Sequence, residues 1–214
     1  MVENITVFTQ SSIRIESGSK VLYFDPFGIR ENFHDADYIF ITHDHYDHLS
    51  PEDISKVMKS STVFFAPENT AGKLKGIAAD SGKVYPVKPG AFYEKEDMEF
   101  DTVPAYNNLK PFHPKSAGFV GYIVRLEGKR IYVAGDTSLT KEAQAVKCDI
   151  ALVPIGGTYT MDAKKAAELI NILRPEVAIP THYGSIVGKK DDFETFKKLV
   201  KSPIKVVEKI QYFE

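Results

Sequence analysis

Short apolar runs, rich in β-branched and aromatic residues and separated by turn-forming residues, dominate the chain. Such runs favour β-strands. A tight hairpin turn is expected at Glu127-Gly128-Lys129, between two of them. The pattern predicts strands over residues 5–8, 13–17, 21–25, 38–42, 63–66, 84–87, 91–93, 98–103, 119–126, 130–134, 150–154 and 177–179.

Three segments have the start signals and apolar spacing of helices. Ser50 can cap a helix in which Pro51 takes the first position, and Asp162 can cap a helix over residues 163–173 that ends at Arg174. A last helix begins near Asp192. Its predicted apolar face consists of Phe193, Phe196, Leu199 and Val200. Strand-rich halves that each carry helices predict an α+β fold with packed sheets and outer helices, and leave several topologies open.

The composition of 214 residues, with 43% hydrophobic, fits one domain over residues 1–214. A net charge of −2 without long basic runs gives no nucleic-acid footprint. No apolar run is long enough to span a bilayer, and the first residues do not resemble a signal peptide. With a single cysteine, Cys148, these features lead us to expect a cytoplasmic protein that binds no membrane. The oligomeric state stays open.

A dense group of potential metal ligands lies between the predicted strand 38–42 and the helix that begins near Ser50. Three of the six histidines in the chain fall here. The group consists of His43, His45, Asp47 and His48. A lone His-x-His is usually a surface feature, but four ligands at this spacing predict a site for a divalent metal. His34 matches no motif and is expected in a surface loop.

Two later strands end on further potential ligands. Asp136 follows the strand 130–134 in a Gly-Asp-Thr sequence, and His182 follows the strand 177–179. Each signal is weak by itself, because a polar residue at a strand end is often just part of a turn.

The ordered set His43-x-His45-x-Asp47-His48, Gly135-Asp136-Thr137 and His182 resembles the metallo-β-lactamase superfamily. This resemblance covers most of the chain. It implies a four-layer αββα sandwich with a two-metal site between the sheet edges. It also implies that His43 and His45 hold the first metal, that Asp47, His48 and His182 hold the second, and that Asp136 bridges them.

The family usually supplies one more histidine to the first metal. His113 is the only histidine between His48 and Asp136. Asn107 stands nearer to the predicted strand end, but imidazole is the better ligand, so we favour His113 and keep Asn107 as the alternative.

The implied cofactors are two divalent ions, with zinc favoured and manganese or iron also compatible. Two such ions would activate a metal-bound hydroxide as nucleophile, with Asp47 and Asp136 as catalytic residues. Tyr159, in the loop after strand 150–154, is a candidate substrate contact. So are Tyr106 and Tyr183.

The function implied is hydrolysis of a small-molecule ester, lactone or phosphodiester, similar to ascorbate-6-phosphate lactonases and phosphodiesterase-like members of the superfamily. An RNA-processing nuclease is an alternative, although no long basic insertion supports it. A flavin-linked iron protein is disfavoured because His45 is kept and the chain has no room for a flavin domain. A non-catalytic metal-binding protein is disfavoured by the complete ligand set.

Overall fold

Two β-sheets lie face to face in the computed structural model, which describes residues 1–78, 83–108 and 112–213. The first sheet contains, in spatial order, β1 (Ile5–Val7), β2 (Ile13–Ser17), β3 (Lys20–Phe24), β4 (Ala36–Phe40), β5 (Met58–Pro67) and β6 (Lys83–Val87). The second contains β7 (Phe92–Lys95), β8 (Met98–Pro104), β9 (Val120–Leu126), β10 (Lys129–Val133), β11 (Ile150–Pro154), β12 (Val177–Thr181) and β13 (Lys205–Val206), also in that spatial order.

Aromatic side chains fill the space between the two sheets. The Phe40 ring lies 4.9 Å from Phe24 and 5.2 Å from Phe100, centroid to centroid. Tyr122 reaches across from the second sheet, and its hydroxyl donates to the Ile41 carbonyl at 2.7 Å. Because side chains alternate along a strand, the neighbours of these residues point to the outer face of each sheet. The apolar side chains on these outer faces must be covered by other elements.

That cover is provided by helices on both outer faces. The first sheet is covered by α1 (Pro51–Val57) and α2 (Glu68–Ile77), and the second by α3 (Lys141–Gln144), α4 (Ala163–Leu173) and α5 (Asp192–Leu199). The layers are therefore helix, sheet, sheet and helix. The predicted αββα sandwich is confirmed.

Most predicted elements are found within a few residues of their expected bounds. Ser50 Oγ accepts from the Asp53 amide at 3.3 Å, and Asp162 Oδ1 accepts from the Lys165 amide at 2.8 Å, so both capping predictions are confirmed. A left-handed Arg174 ends α4 as expected. The predicted face of α5 is wrong at Leu199, which is 41% exposed.

The pattern missed α2, α3 and β13. The α2 segment contains Gly72 and Gly76, which weaken any helical prediction, and α3 is only 4 residues long. No described helix is both long and apolar enough to cross a membrane.

Parallel strands bring several carboxyl ends to one edge of the sandwich. The strands β3 to β6 run parallel to one another, and so do β10 to β13. At this edge the Val120 amide donates to the Thr42 carbonyl at 3.2 Å and joins the two sheets. Side chains that follow β4, β10 and β12 therefore converge.

Gly121 in β9 packs closely against the backbone that follows β10, near this edge. A Cβ added at Gly121 would lie 2.6 Å from the Ala134 carbonyl oxygen. We predict that Gly121→Ala lowers the free energy of unfolding by roughly 1–3 kcal/mol, as overpacking does. Gly72→Ala is the control, since Gly72 is exposed on α2 with no atom near its Cβ position. It should raise stability by up to about 1 kcal/mol. Urea denaturation measures both, and equal effects of the two substitutions would contradict the close approach.

Candidate metal centre

The predicted ligands all lie at one edge of the sandwich, where strands of both sheets end. Four of them occupy the turn between β4 and α1, namely His43, His45, Asp47 and His48. The second sheet contributes Asp136 after β10 and His182 directly after β12. His113 lies in the long segment between β8 and β9.

A first cluster consists of three histidines. His43 Nε2 lies 3.2 Å from His45 Nδ1 and 3.3 Å from His113 Nε2. His43 and His113 are buried and His45 is partly exposed. Three ring nitrogens thus point at one small volume.

A second cluster lies beside it. Asp47 Oδ2 is 3.2 Å from His182 Nε2 and 3.6 Å from His48 Nε2. All three residues are buried. Their ligand atoms lie close enough together to hold one ion.

Asp136 lies between the two clusters and turns one oxygen to each. Its Oδ1 is 3.3 Å from His48 Nε2 and 3.4 Å from His182 Nε2. Its Oδ2 is 3.6 Å from His113 Nε2 and 4.0 Å from His43 Nε2. This is the placement expected of a bridging carboxylate.

The side chains fit a metal because nitrogen and carboxylate oxygen atoms of the two clusters face one another, and two of these atoms have no hydrogen-bond partner among the described atoms. His48 Nδ1 lies 2.7 Å from Asp25 and donates to it, so His48 Nε2 carries a lone pair when the ring is neutral. That nitrogen and Asp136 Oδ1 are both buried without a hydrogen-bond partner among the described atoms. A cation between them would satisfy both.

Asp25, the last residue of the predicted strand 21–25 and not a predicted site residue, orients candidate ligands of both clusters. Besides His48, it accepts from the Thr42 amide at 2.7 Å and from the Thr42 hydroxyl at 2.6 Å. The Thr42 hydroxyl oxygen lies 3.0 Å from His43 Nδ1 and accepts from it. Both His43 and His48 therefore turn Nε2 towards the metal ligands.

Burial and neighbouring charges set the protonation of the ligands. Burial lowers the pKa of His43 well below its ordinary value and that of His113 to about 4. Burial also opposes charge on His48, but the carboxylates of Asp136 and Asp25 outweigh it and raise the His48 pKa. Burial raises the pKa of Asp136, but His182 and His48 outweigh it and hold that pKa well below the usual range. A metal entering the second cluster would displace a proton from His48.

The structure places His113, and not Asn107, in the first cluster. The Asn107 side-chain oxygen accepts from the Ser138 hydroxyl at 2.7 Å. Its amide nitrogen donates to the carbonyls of Phe112 at 3.0 Å and Tyr159 at 2.7 Å. Asn107 therefore fastens the loops around the site, while the His113 imidazole faces the other ligands.

Two of the three tyrosines predicted as substrate contacts donate hydrogen bonds to glutamates. Tyr106 donates to Glu142 at 2.7 Å, and Tyr183 is fully buried and donates to Glu208 at 2.9 Å. Neither tyrosine is among the described residues that line the cavity, and substrate contact by either one stays a prediction. Tyr159 does line the cavity above the ligands.

Asp44, which stands between His43 and His45 in the chain, pairs with Lys73 of α2. The glycine-rich loop after β11 has a specific contact. A Cβ on Gly156 would overlap the His182 carbonyl oxygen, so only glycine lets this loop pack against the ligand. On its other side, the His182 amide donates to the Gln10 carbonyl at 2.9 Å. His182 is therefore held through its backbone by two segments.

A cavity of about 440 Å³ opens above the ligands. This volume suits a small molecule. Its described lining consists of Asp44, His45, Tyr46, Asp47, Phe112, Asp136, Tyr159 and Ile186.

Known proteins with sequences similar to this chain are metal-dependent hydrolases, as a cluster of metal ligands would suggest. Residues 4–182 match the family described as the beta-lactamase superfamily domain. A metal-dependent hydrolase of Pyrococcus abyssi is 33% identical over 206 residues, 89% of each chain. One of Staphylothermus marinus is 36% identical over 80% of this chain and 74% of its own.

Solved structures of metal hydrolases have the same fold as this chain. A protein of Parabacteroides distasonis assigned to the metal-dependent hydrolases superposes with a TM-score of 0.82 at 31% identity, over 97% of this chain and 93% of its own. A metallo hydrolase of Ignicoccus hospitalis superposes with a TM-score of 0.74 at 25% identity, over 97% of this chain and 95% of its own.

We predict that Asp25→Asn weakens metal binding by about 10–100-fold. The single oxygen of an amide cannot accept the hydrogen bonds from both Thr42 and His48, so the His48 ring would no longer be held in its orientation. Competition with a coloured chelator measures the affinity, and circular dichroism confirms folding. Asp101→Asn is the control, since Asp101 pairs with Arg125 away from the ligands. An unchanged affinity in a folded Asp25→Asn protein would show that Asp25 does not orient the ligands.

Proposed function

Because the chain belongs to the β-lactamase superfamily and is a metal-dependent hydrolase, we propose that it hydrolyses a small carboxyl ester, lactone or phosphodiester with two divalent metal ions. The observation that supports this proposal most directly is the position of Asp136, whose two oxygens face separate groups of histidines. A single-metal site would need only one of these groups.

We assign the first metal to His43, His45 and His113, with Asp136 shared. We assign the second to Asp47, His48 and His182, again with Asp136. Zinc is the favoured ion, because imidazole nitrogens predominate among the ligands and carboxylates complete them. Manganese and iron are compatible with the same donors.

Divalent ions bound here would lower the pKa of a water molecule and polarise the oxygen of the bond to be cleaved. The residues of the chain supply position and proton transfer. Asp47 lines the cavity, and although burial opposes its charge, the hydrogen bond from His182 lowers its pKa. Asp47 is therefore an ionised carboxylate that can orient water or accept a proton from it. Tyr159 lies above it as a candidate hydrogen-bond donor to the substrate.

The cavity favours a small substrate over a nucleic acid. No Lys or Arg occurs among its described lining residues. A polyanion would find few cationic side chains there to hold its phosphates. The nuclease alternative is therefore the weaker proposal, and the complete ligand set likewise disfavours a non-catalytic role.

We predict that metal analysis of the purified protein finds about two divalent ions per chain and that chelation abolishes hydrolysis of the ester, lactone or phosphodiester that it accepts. His48→Ala should lower kcat/KM by on the order of a hundredfold or more, because it removes a ligand from the second cluster.

His34→Ala is the matched control, because His34 is exposed and outside both clusters. Its activity and metal content should equal those of the unaltered protein. A protein that binds no metal, or a fully active His48→Ala variant, would refute the proposed mechanism.

A further inference from the structure

The mouth of the cavity exposes large apolar side chains to solvent. Tyr46 is 65% exposed, Phe112 is 51% exposed and Ile186 is 40% exposed. All three line the cavity that contains Asp47 and Asp136. Single exposed apolar residues are ordinary, but several grouped around a concave site usually mark a binding surface.

Two of these aromatic rings are held by a second ring rather than left free. Phe112 packs edge-on against Tyr159 with the centroids 5.2 Å apart. Tyr46 packs edge-on against Phe27 at 6.0 Å. Rings fixed in this way lose less conformational entropy when they bind an apolar group, which favours binding.

The lining away from the candidate metal ligands provides no partner for an anionic substituent. Asp47 and Asp136 are assigned to the metals, and Asp44 is paired with Lys73. Among the described lining residues there is no cationic side chain to pair with a phosphate or carboxylate group. An anionic group of the substrate beyond the reacting bond would therefore lose its hydration without gaining a partner.

From these two properties we infer that the substrate has an uncharged apolar substituent, which lies between Tyr46, Phe112 and Ile186 while the bond to be cleaved lies at the metals. This inference rests on the proposed function and narrows its substrate class. For a carboxyl ester or lactone, the oxygen of water bonds to the carbonyl carbon, and the bond from that carbon to the alcohol oxygen breaks. The products are an alcohol, a carboxylate and one proton, and a lactone gives both groups on one molecule.

The test uses the metal-loaded protein and p-nitrophenyl esters of acetate, butyrate and hexanoate, which differ only in apolar length. We expect kcat/KM to rise by up to about fourfold for each added methylene that becomes buried. The p-nitrophenyl monoester of succinate, whose distal carboxylate would lie at the apolar mouth without a cationic partner, should be poorer than butyrate by about tenfold or more.

Binding is measured separately by calorimetry with acetone, 4-heptanone and 5-nonanone, unreactive ketones that retain the carbonyl group. Their affinity should rise with chain length as the reactivity of the esters does. This readout needs no turnover and therefore separates the inference from the proposed function.

Phe112→Ala tests the apolar contact directly. It should lower kcat/KM for the hexanoate ester by about tenfold and change that for acetate by less than about twofold. Phe112→Leu should restore most of the length dependence. Phe92→Ala is the matched control, because Phe92 is also an exposed phenylalanine, at 54%, but lies on β7 away from this cavity.

Each outcome decides between the two proposals. Ester hydrolysis without length dependence, or hydrolysis of the succinate monoester as fast as that of the butyrate ester, would refute the inference and leave the proposed function standing. Ketone affinity that rises with length and depends on Phe112, in a protein that hydrolyses none of the compounds, would support the apolar site and refute the proposed function. Equal effects of Phe112→Ala and Phe92→Ala would also refute the inference.

Discussion

The carboxylate of Asp25 is fully buried, and its burial is compensated by hydrogen bonds from the Thr42 amide, the Thr42 hydroxyl and His48 Nδ1. Burying this carboxylate without partners would cost roughly several kcal/mol of folding free energy. The three hydrogen bonds offset that cost. They lock β3 to the end of β4 and determine which nitrogen of His43 and of His48 faces the other ligands. A single buried charge thus links the geometry of the first sheet to that of both ligand clusters.

The second sheet must also be held in the correct position relative to the first, so that the ligands from both sheets converge. The Thr42 carbonyl accepts from the Val120 amide, and Tyr122 reaches the Ile41 carbonyl. These bonds lie just below Asp136, which follows the neighbouring strand β10. The aromatic core therefore does more than exclude water, because its rings set the distance between the sheets and hence between the ligands that each sheet carries.

Local spacing made part of this site predictable. The ligands from His43 to His48 could be recognised because they crowd into one turn, and Asp136 and His182 because each follows an apolar strand. The choice of His113 over Asn107 depends on contacts with Ser138 and Tyr159, which no local pattern contains. Asp25 was missed for the same reason, since a lone acid at a strand end is common. The partners of Tyr106 and Tyr183 could not be predicted either, because the direction of a side chain in a loop depends on tertiary packing.

Every complete ligand set at this edge draws on segments far apart in the chain, from the turn after β4 to the end of β12. Parallel strands and ligands so distant in sequence can meet only after long stretches of chain have closed, which makes such folds slow to form. The unfolded chain therefore holds no preformed site, and an ion bound to the native state adds its binding free energy to the stability of the fold. The supply of metal in the cell would then govern how long each copy of the protein survives, as well as how fast it works.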